Sequence, residues 1–335
     1  MLDLITSPST RGAICFHDFE PTQESFRDAV IDGLSRARRA IPCRFLYDAR
    51  GSALFDEICE LPEYYPTRTE LWILRQYAAE IAGRIGAGAQ LIELGSGASV
   101  KVRVLLSALE TPAAYVPIDI SGGHLRAAAE LIAESYPDLA VHAVCADYSK
   151  AFDLPALPGA GRRVGFYPGS TIGNFTLAEA RVFLAAWARR LGPGAGMLIG
   201  VDLKKDAAIL NAAYDDAAGV TAQFSKNLLA RANRELEADF QVDQFAHQAV
   251  YNASLGCVEI HLRSLVNQAV TVAGQRFDFA VGDLIHIEDS YKYDLTDFAA
   301  LARSAGFEPQ AVWTDPKGLF SVHYLAREAS ALTVS

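Results

Sequence analysis

Leu91-Ile-Glu-Leu-Gly-Ser-Gly-Ala98 is an apolar run that ends in Glu93-Leu-Gly-Ser-Gly97 and opens into a helix-like segment. This is the pattern of a first βα turn, whose glycines let the backbone approach a ligand where a Cβ would block it. In the dinucleotide fingerprint G-x-G-x-x-G the third glycine packs the helix beside a pyrophosphate, and here that position is Val100. An acidic residue with the first two glycines alone suits S-adenosylmethionine (SAM), which has no pyrophosphate to cradle. Tyr115-Val-Pro-Ile-Asp-Ile120 reads as the next strand, ending in Asp119, where a carboxylate can accept both ribose hydroxyls. Val141 to Val144 reads as a third, and Asp147-Tyr148 follows with an acceptor and a ring where an adenine would lie.

Strand-like and helix-like segments alternate around this turn, with strands expected at 90–94, 115–119, 141–145, 164–168 and 196–202. That rhythm calls for a parallel sheet with right-handed crossovers and helices on both faces. It then stops. Residues 207–240 read as helical, and 247–288 as short β segments: Ala249 to Leu255, Cys257 to Leu265, Ala269 to Ala273 and Leu284 to Glu288. After a helix at 294–305, Gln310 to Thr314 and Phe320 to Leu325 read as a closing hairpin. The fold class is therefore α/β, a Rossmann-like SAM-dependent methyltransferase core with a second α+β domain. Residues 70–204 plus 293–328 are expected to form the SAM-binding domain. Residues 15–69 plus 205–292 are expected to form a substrate-binding domain that closes over it, and the last residues a frayed tail.

The chain has 335 residues and a net charge of -10, so neither nucleic acid nor an anionic membrane is expected as the main partner. A small molecule is. The five cysteines form no C-x-x-C pair, and the seven histidines show neither H-x-x-x-H nor H-E-x-x-H spacing, so no metal site is expected. Reduced thiols, no signal-like N-terminus and no long uncharged apolar run lead to the expectation of a soluble, cytoplasmic protein, taken as a monomer.

Several motifs together resemble the L-histidine Nα-methyltransferases of ergothioneine biosynthesis, and the related portions of larger ergothioneine and ovothiol enzymes. They are Phe45-Leu-Tyr-Asp48, Gly51-Ser-Ala-Leu-Phe55, Leu61-Pro-Glu-Tyr-Tyr-Pro-Thr-Arg-Thr-Glu70, Phe166-Tyr-Pro-Gly-Ser-Thr-Ile-Gly-Asn-Phe175, Gly200-Val-Asp-Leu-Lys-Lys-Asp206, Ala213-Tyr-Asp-Asp-Ala217, Asn227-Leu-Leu, Asn233-Arg-Glu-Leu236 and Glu288-Asp-Ser-Tyr-Lys-Tyr293. The resemblance implies that Tyr47, Gly95, Lys101, Asp119, Asp147 and Tyr148 hold SAM. It implies that Tyr65 faces the substrate amino group, that Gly169, Asn174 and Tyr214 hold the amino and carboxylate ends, and that Glu288 and Ser290 bond the imidazole. SAM would be the methyl donor and L-histidine the substrate, trimethylated to hercynine, with Tyr65 and a water as candidate proton acceptors.

The chemistry of these residues is compatible with those roles. Glu288 and Ser290 are two apart on a β-like run, so their side chains share a face and can meet the two nitrogens of one ring, although any half-exposed strand shows that spacing. Asn174 can donate to a carboxylate and accept from an ammonium; a loop cap would look the same. Lys101, early in the helix after the glycine turn, can neutralise the methionine carboxylate or simply be solvated. Tyr64 and Tyr65 are adjacent, so one ring of the pair belongs to the core. Lys204-Lys-Asp206 reads as junction surface, and His286 as a structural histidine on the Glu288 side of its strand. Two rival readings share the SAM half: an N-methyltransferase for another aromatic or imidazole amino acid, and a non-catalytic SAM-binding regulator.

Overall fold

The computed structural model describes residues 14–19, 21, 25–96 and 100–329. Gly97 and Ala98 of the glycine turn, and the tail from 330, lie outside them. The helices are α1 (Phe26–Ser35), α2 (Ala49–Glu60), α3 (Tyr65–Gln76), α4 (Ala78–Ile85), α5 (Val100–Ala108), α6 (Gly122–Ser135), α7 (Leu177–Leu191), α8 (Ala207–Tyr214), α9 (Val220–Glu235) and α10 (Leu295–Ser304). The strands are β1 (Ile14–Asp18), β2 (Gln90–Leu94), β3 (Ala114–Asp119), β4 (Ala140–Cys145), β5 (Arg163–Tyr167), β6 (Gly196–Asp202), β7 (Phe245–Asn252), β8 (Cys257–Ser264), β9 (Gln268–Val272), β10 (Gln275–Phe279), β11 (Leu284–Tyr291), β12 (Glu308–Thr314) and β13 (Phe320–Ala326).

Eight strands form one sheet in the order β1-β4-β3-β2-β5-β6-β13-β12. β1 to β6 run parallel, β13 lies antiparallel to β6, and β12 antiparallel to β13. Every residue of β2 and of β6 is buried, as strands covered on both faces require. Alternate residues serve opposite cores. Leu91, Tyr115, Val141 and Leu198 pack under α3 to α6, while Ile92, Val116, Val144 and Ile199 pack under α7 and α10. This is the expected Rossmann-like methyltransferase architecture. The chain order reverses between β2 and β5, so the crevice beyond their carboxyl ends is the place where such sheets bind ligands.

A further core joins α1, α2, the first residue of α3, α8, α9 and the strands β7 to β11. These strands make an antiparallel sheet in the order β11-β8-β7 and a β9-β10 hairpin. Two features differ from the expectation. β1 leaves the N-terminal segment to extend the edge of the large sheet beside β4, so not all of that segment packs with the insertion. The helical run at 207–240 is broken after Tyr214: Asp216 turns back to accept from the N–H groups of Val220 and Thr221, and Gly219 adopts φ +74° before α9 begins.

Candidate active site

The crevice is lined by three strand ends. After β2, Gly95 sits at φ +74°, a conformation that side chains resist, and its N–H reaches Ile118 O at 2.9 Å. Glu93 is buried and accepts from the Tyr115 hydroxyl; burial pushes its pKa up to about 7. Asp119, at the end of β3, accepts from Ser121 N at 2.8 Å, and burial raises its pKa. After β4, Asp147 Oδ1 accepts from Ser149 N at 3.0 Å, which shapes the turn that presents Tyr148. The Tyr148 ring stands edge-on to Tyr167, with centroids 5.9 Å apart, and burial lifts its hydroxyl pKa to about 12. A left-handed glycine, a carboxylate and a ring at successive strand ends fit a nucleoside. The Lys101 ammonium sits 2.5 Å from Glu70, which is fully buried and also accepts from Gly169 N at 2.9 Å. Gly200 makes room for this carboxylate, since a Cβ there would lie 2.0 Å from Glu70 Oε1.

A second group of side chains comes from β11, which packs against the turn that follows β5. The short 3-10 turn at Thr171–Asn174 crosses this strand so closely that a Cβ on Gly173 would lie 2.7 Å from Tyr291 O. The crossing brings the Asn174 side chain beside Glu288, whose charged form it favours. A bulge between His286 and Glu288 resets the alternation of β11. Glu288 and Ser290 therefore pair with Ile260 and Val258, whereas His286 pairs with His261 and reaches Asp289 at 2.9 Å. The bulge corrects the placement of His286, which is turned from the Glu288 face, and keeps Asp289 with it. Burial pushes Glu288 up to about 7, against the opposing pull of Lys292 and His286.

Beside Glu288, Ser290 Oγ lies 2.9 Å from Tyr214 Oη, and Lys292 Nζ donates to both at 2.7 Å. Lys292 also lies 2.9 Å from Asp202, at the end of β6. Asp202 accepts from Lys205 at 2.6 Å and from the Tyr65 hydroxyl at 2.8 Å. Burial alone would raise the Asp202 pKa, but Lys292 and Lys205 outweigh it and hold the carboxyl below its ordinary range. Burial lowers Lys205 to about 8 against the pull of Asp202.

These contacts correct two expectations. Lys205 is buried, with a side chain 7% exposed, and is not junction surface; Lys204 and Asp206 do face outward. Tyr65 is the ring of the tyrosine pair that belongs to the core, because its hydroxyl is committed to Asp202 and Lys205. Tyr64 is the ring that meets Tyr214, with centroids 6.1 Å apart, and it continues through Phe55 to Tyr47. Tyr47 stands 45% exposed. It is followed by Asp48, which caps α2 and is tied to α9 by Asn227 at 2.8 Å and Arg234 at 2.6 Å.

The model of the family described as "Histidine-specific methyltransferase, SAM-dependent" matches residues 26–327. The chain belongs to this family. It is 44% identical over 309 residues to the histidine N-alpha-methyltransferase of Mycolicibacterium smegmatis, covering 91% of this chain and 95% of that protein. It is 42% identical to the protein of the same name from Mycobacterium tuberculosis, with 90% and 95% covered. It is also 32% identical to ergothioneine biosynthesis protein 1 of Neurospora crassa, covering 88% of this chain and 34% of that longer protein.

Within this histidine-specific methyltransferase, the residues that sequence reasoning passed over were close to those it chose. Asp202 and Lys205 lie in the Gly200 to Asp206 motif, Lys292 ends Glu288-Asp-Ser-Tyr-Lys, and Glu70 ends the Leu61 to Glu70 motif. For Asp202 the available signal was a carboxylate at the end of an all-buried strand, which demands a partner.

Proposed function

We propose that this methyltransferase transfers three methyl groups in succession from SAM to the α-nitrogen of L-histidine, giving hercynine for ergothioneine biosynthesis. The observation that supports this reading is that Asn174, in the turn after β5, lies beside Glu288 and that Tyr214 bonds Ser290, while Asp119 and Tyr148 lie at the ends of β3 and β4 of the same sheet. In this reading Asp119 takes the ribose, Tyr148, Asp147 and Gly95 the adenine side, and Tyr47 the mouth. Lys101 and Gly169, now joined through Glu70, border the methionine and amino-acid ends.

SAM supplies a methyl group on a sulfonium, an already activated leaving group, so the protein contributes mainly by positioning. Asn174 holds the carboxylate and Glu288 and Ser290 the imidazole, with Tyr214 bonded to Ser290 behind the ring. These grips remain constant while each methylation removes a donor from nitrogen. The α-ammonium must lose a proton before it can attack. With the Tyr65 hydroxyl committed to Asp202, Tyr64 replaces it beside the amine, and the proton leaves through water.

The test is incubation with SAM and each of the twenty amino acids, with mass detection of products. Mono-, di- and trimethylated histidine are expected. Comparable methylation of another amino acid, or SAM binding without turnover, would overturn the proposal.

A further inference from the structure

Lys292 touches two of the groups assigned to substrate, yet its ammonium is itself 0% exposed and cannot meet solvent. An ammonium has three N–H groups and accepts nothing. All three have partners: Asp202 at 2.9 Å, Tyr214 Oη at 2.7 Å and Ser290 Oγ at 2.7 Å. Both hydroxyls must therefore accept from Lys292. They also lie 2.9 Å from each other, so one donates to the other. Two hydroxyl protons minus that shared bond leave one, which has no acceptor among the described residues and is free for a ligand. The hydroxyl pair is thus a donor, while Glu288, once ionised, only accepts.

We propose that Lys292, anchored by Asp202, is a positioning residue that fixes the Tyr214 and Ser290 pair as a hydrogen-bond donor, so that the site selects the neutral imidazole in a single tautomer. The proposal rests on the reading that the histidine ring lies between Glu288 and Ser290. A neutral ring offers one N–H to the carboxylate and one bare nitrogen to the hydroxyl. A charged ring would set its second N–H against a donor that cannot turn away. The outcome is not trivial, because a carboxylate beside an imidazole ordinarily draws the second proton onto the ring.

The test compares L-histidine with 3-(pyrrol-2-yl)-alanine and 3-(pyrrol-3-yl)-alanine. Each pyrrole keeps one ring N–H and carries C–H where the bare nitrogen would be. In the wild type the better pyrrole should fall about 10- to 100-fold below histidine in kcat/KM, the cost of an unpaired donor. In Lys292→Met neither hydroxyl has to accept from an ammonium, so the remaining proton can swing out of the crevice into the side that Lys292 Nζ held, and the gap should contract to less than about fivefold. A merely structural role would depress both substrates together, and an unchanged ratio would overturn the proposal. Folding is checked by S-adenosylhomocysteine binding. If Lys292→Met fails to fold, Lys292→Met with Asp202→Asn removes both charges together and faces the same criterion.

A second measurement needs no variant. Ring-15N histidine bound with S-adenosylhomocysteine near pH 7.5 should show one bare and one protonated nitrogen in a single tautomer. A doubly protonated ring or two exchanging tautomers would overturn the inference. Failure of the wild type to methylate histidine would sink the underlying reading and this one with it, whereas methylation with an unchanged pyrrole ratio would sink this one alone.

Discussion

Replacing Glu288 with glutamine should weaken the enzyme and strengthen the fold, and the second effect can be worked out from the site. Burial raises the Glu288 pKa from 4.5 to about 7 in the folded protein. The folded state therefore holds a proton that the unfolded chain has lost over this interval. The Glu288 contribution to wild-type stability is fully present below about pH 4.5 and is lost as pH rises through 7. The difference of about 2.5 units corresponds to roughly 3 kcal/mol of destabilisation when the carboxylate is charged. Glutamine keeps the shape without the charge. Urea unfolding of wild type and Glu288→Gln from pH 5 to 8 should show the mutant gaining about 2–3 kcal/mol relative to wild type over that range. The same variant should lose about 10- to 100-fold in kcat/KM for histidine, because a charged acceptor for the ring N–H is gone. A stability difference that does not change with pH would refute the argument that this carboxylate is desolvated in the folded state.

Asp119→Ala should weaken S-adenosylhomocysteine binding by about 1.5–3 kcal/mol in a folded protein, measured by calorimetry; unchanged affinity would remove Asp119 from the site. Asn174→Ala should raise the histidine KM strongly while S-adenosylhomocysteine affinity holds, and an equal loss of both would reassign the turn after β5 to the cofactor. Tyr65→Phe should cost about 1–3 kcal/mol of stability, because buried Asp202 loses a donor, yet leave the order of preference among amino acids intact. A change in that preference, measured by competition between histidine and tryptophan, would return Tyr65 to the substrate.

The large sheet was legible because its signals are local. β2 and β6 are short runs dominated by apolar residues, and Gly95 and Asp119 mark where β2 and β3 stop. The closing hairpin of β12 and β13 could be read from the same alternation. The strand β1 could not, since five residues of mixed exposure become a strand only through pairing with distant β4. Among the site residues, Glu288 and Ser290 share a face as their spacing suggests, but the bulge that places them there has no signature in Ile285-His-Ile-Glu288. Tyr64 and Tyr65 illustrate the same limit. Adjacent rings must diverge, and which one enters the core depends on Asp202, 137 residues away.

The crossing of Gly173 over Tyr291 sets a gauge for the whole enzyme. Two peptide groups, one following the large sheet and one within the smaller, meet with no side chain between them. Their separation is fixed by atomic radii alone, a ruler that rotamer changes cannot lengthen. Adding a single carbon at residue 173 would force the two halves apart by a fraction of an ångström, and transfer rates respond steeply to misplacement of about 1 Å. The chain thus moves one-carbon units across a gap whose own tolerance is smaller than one carbon.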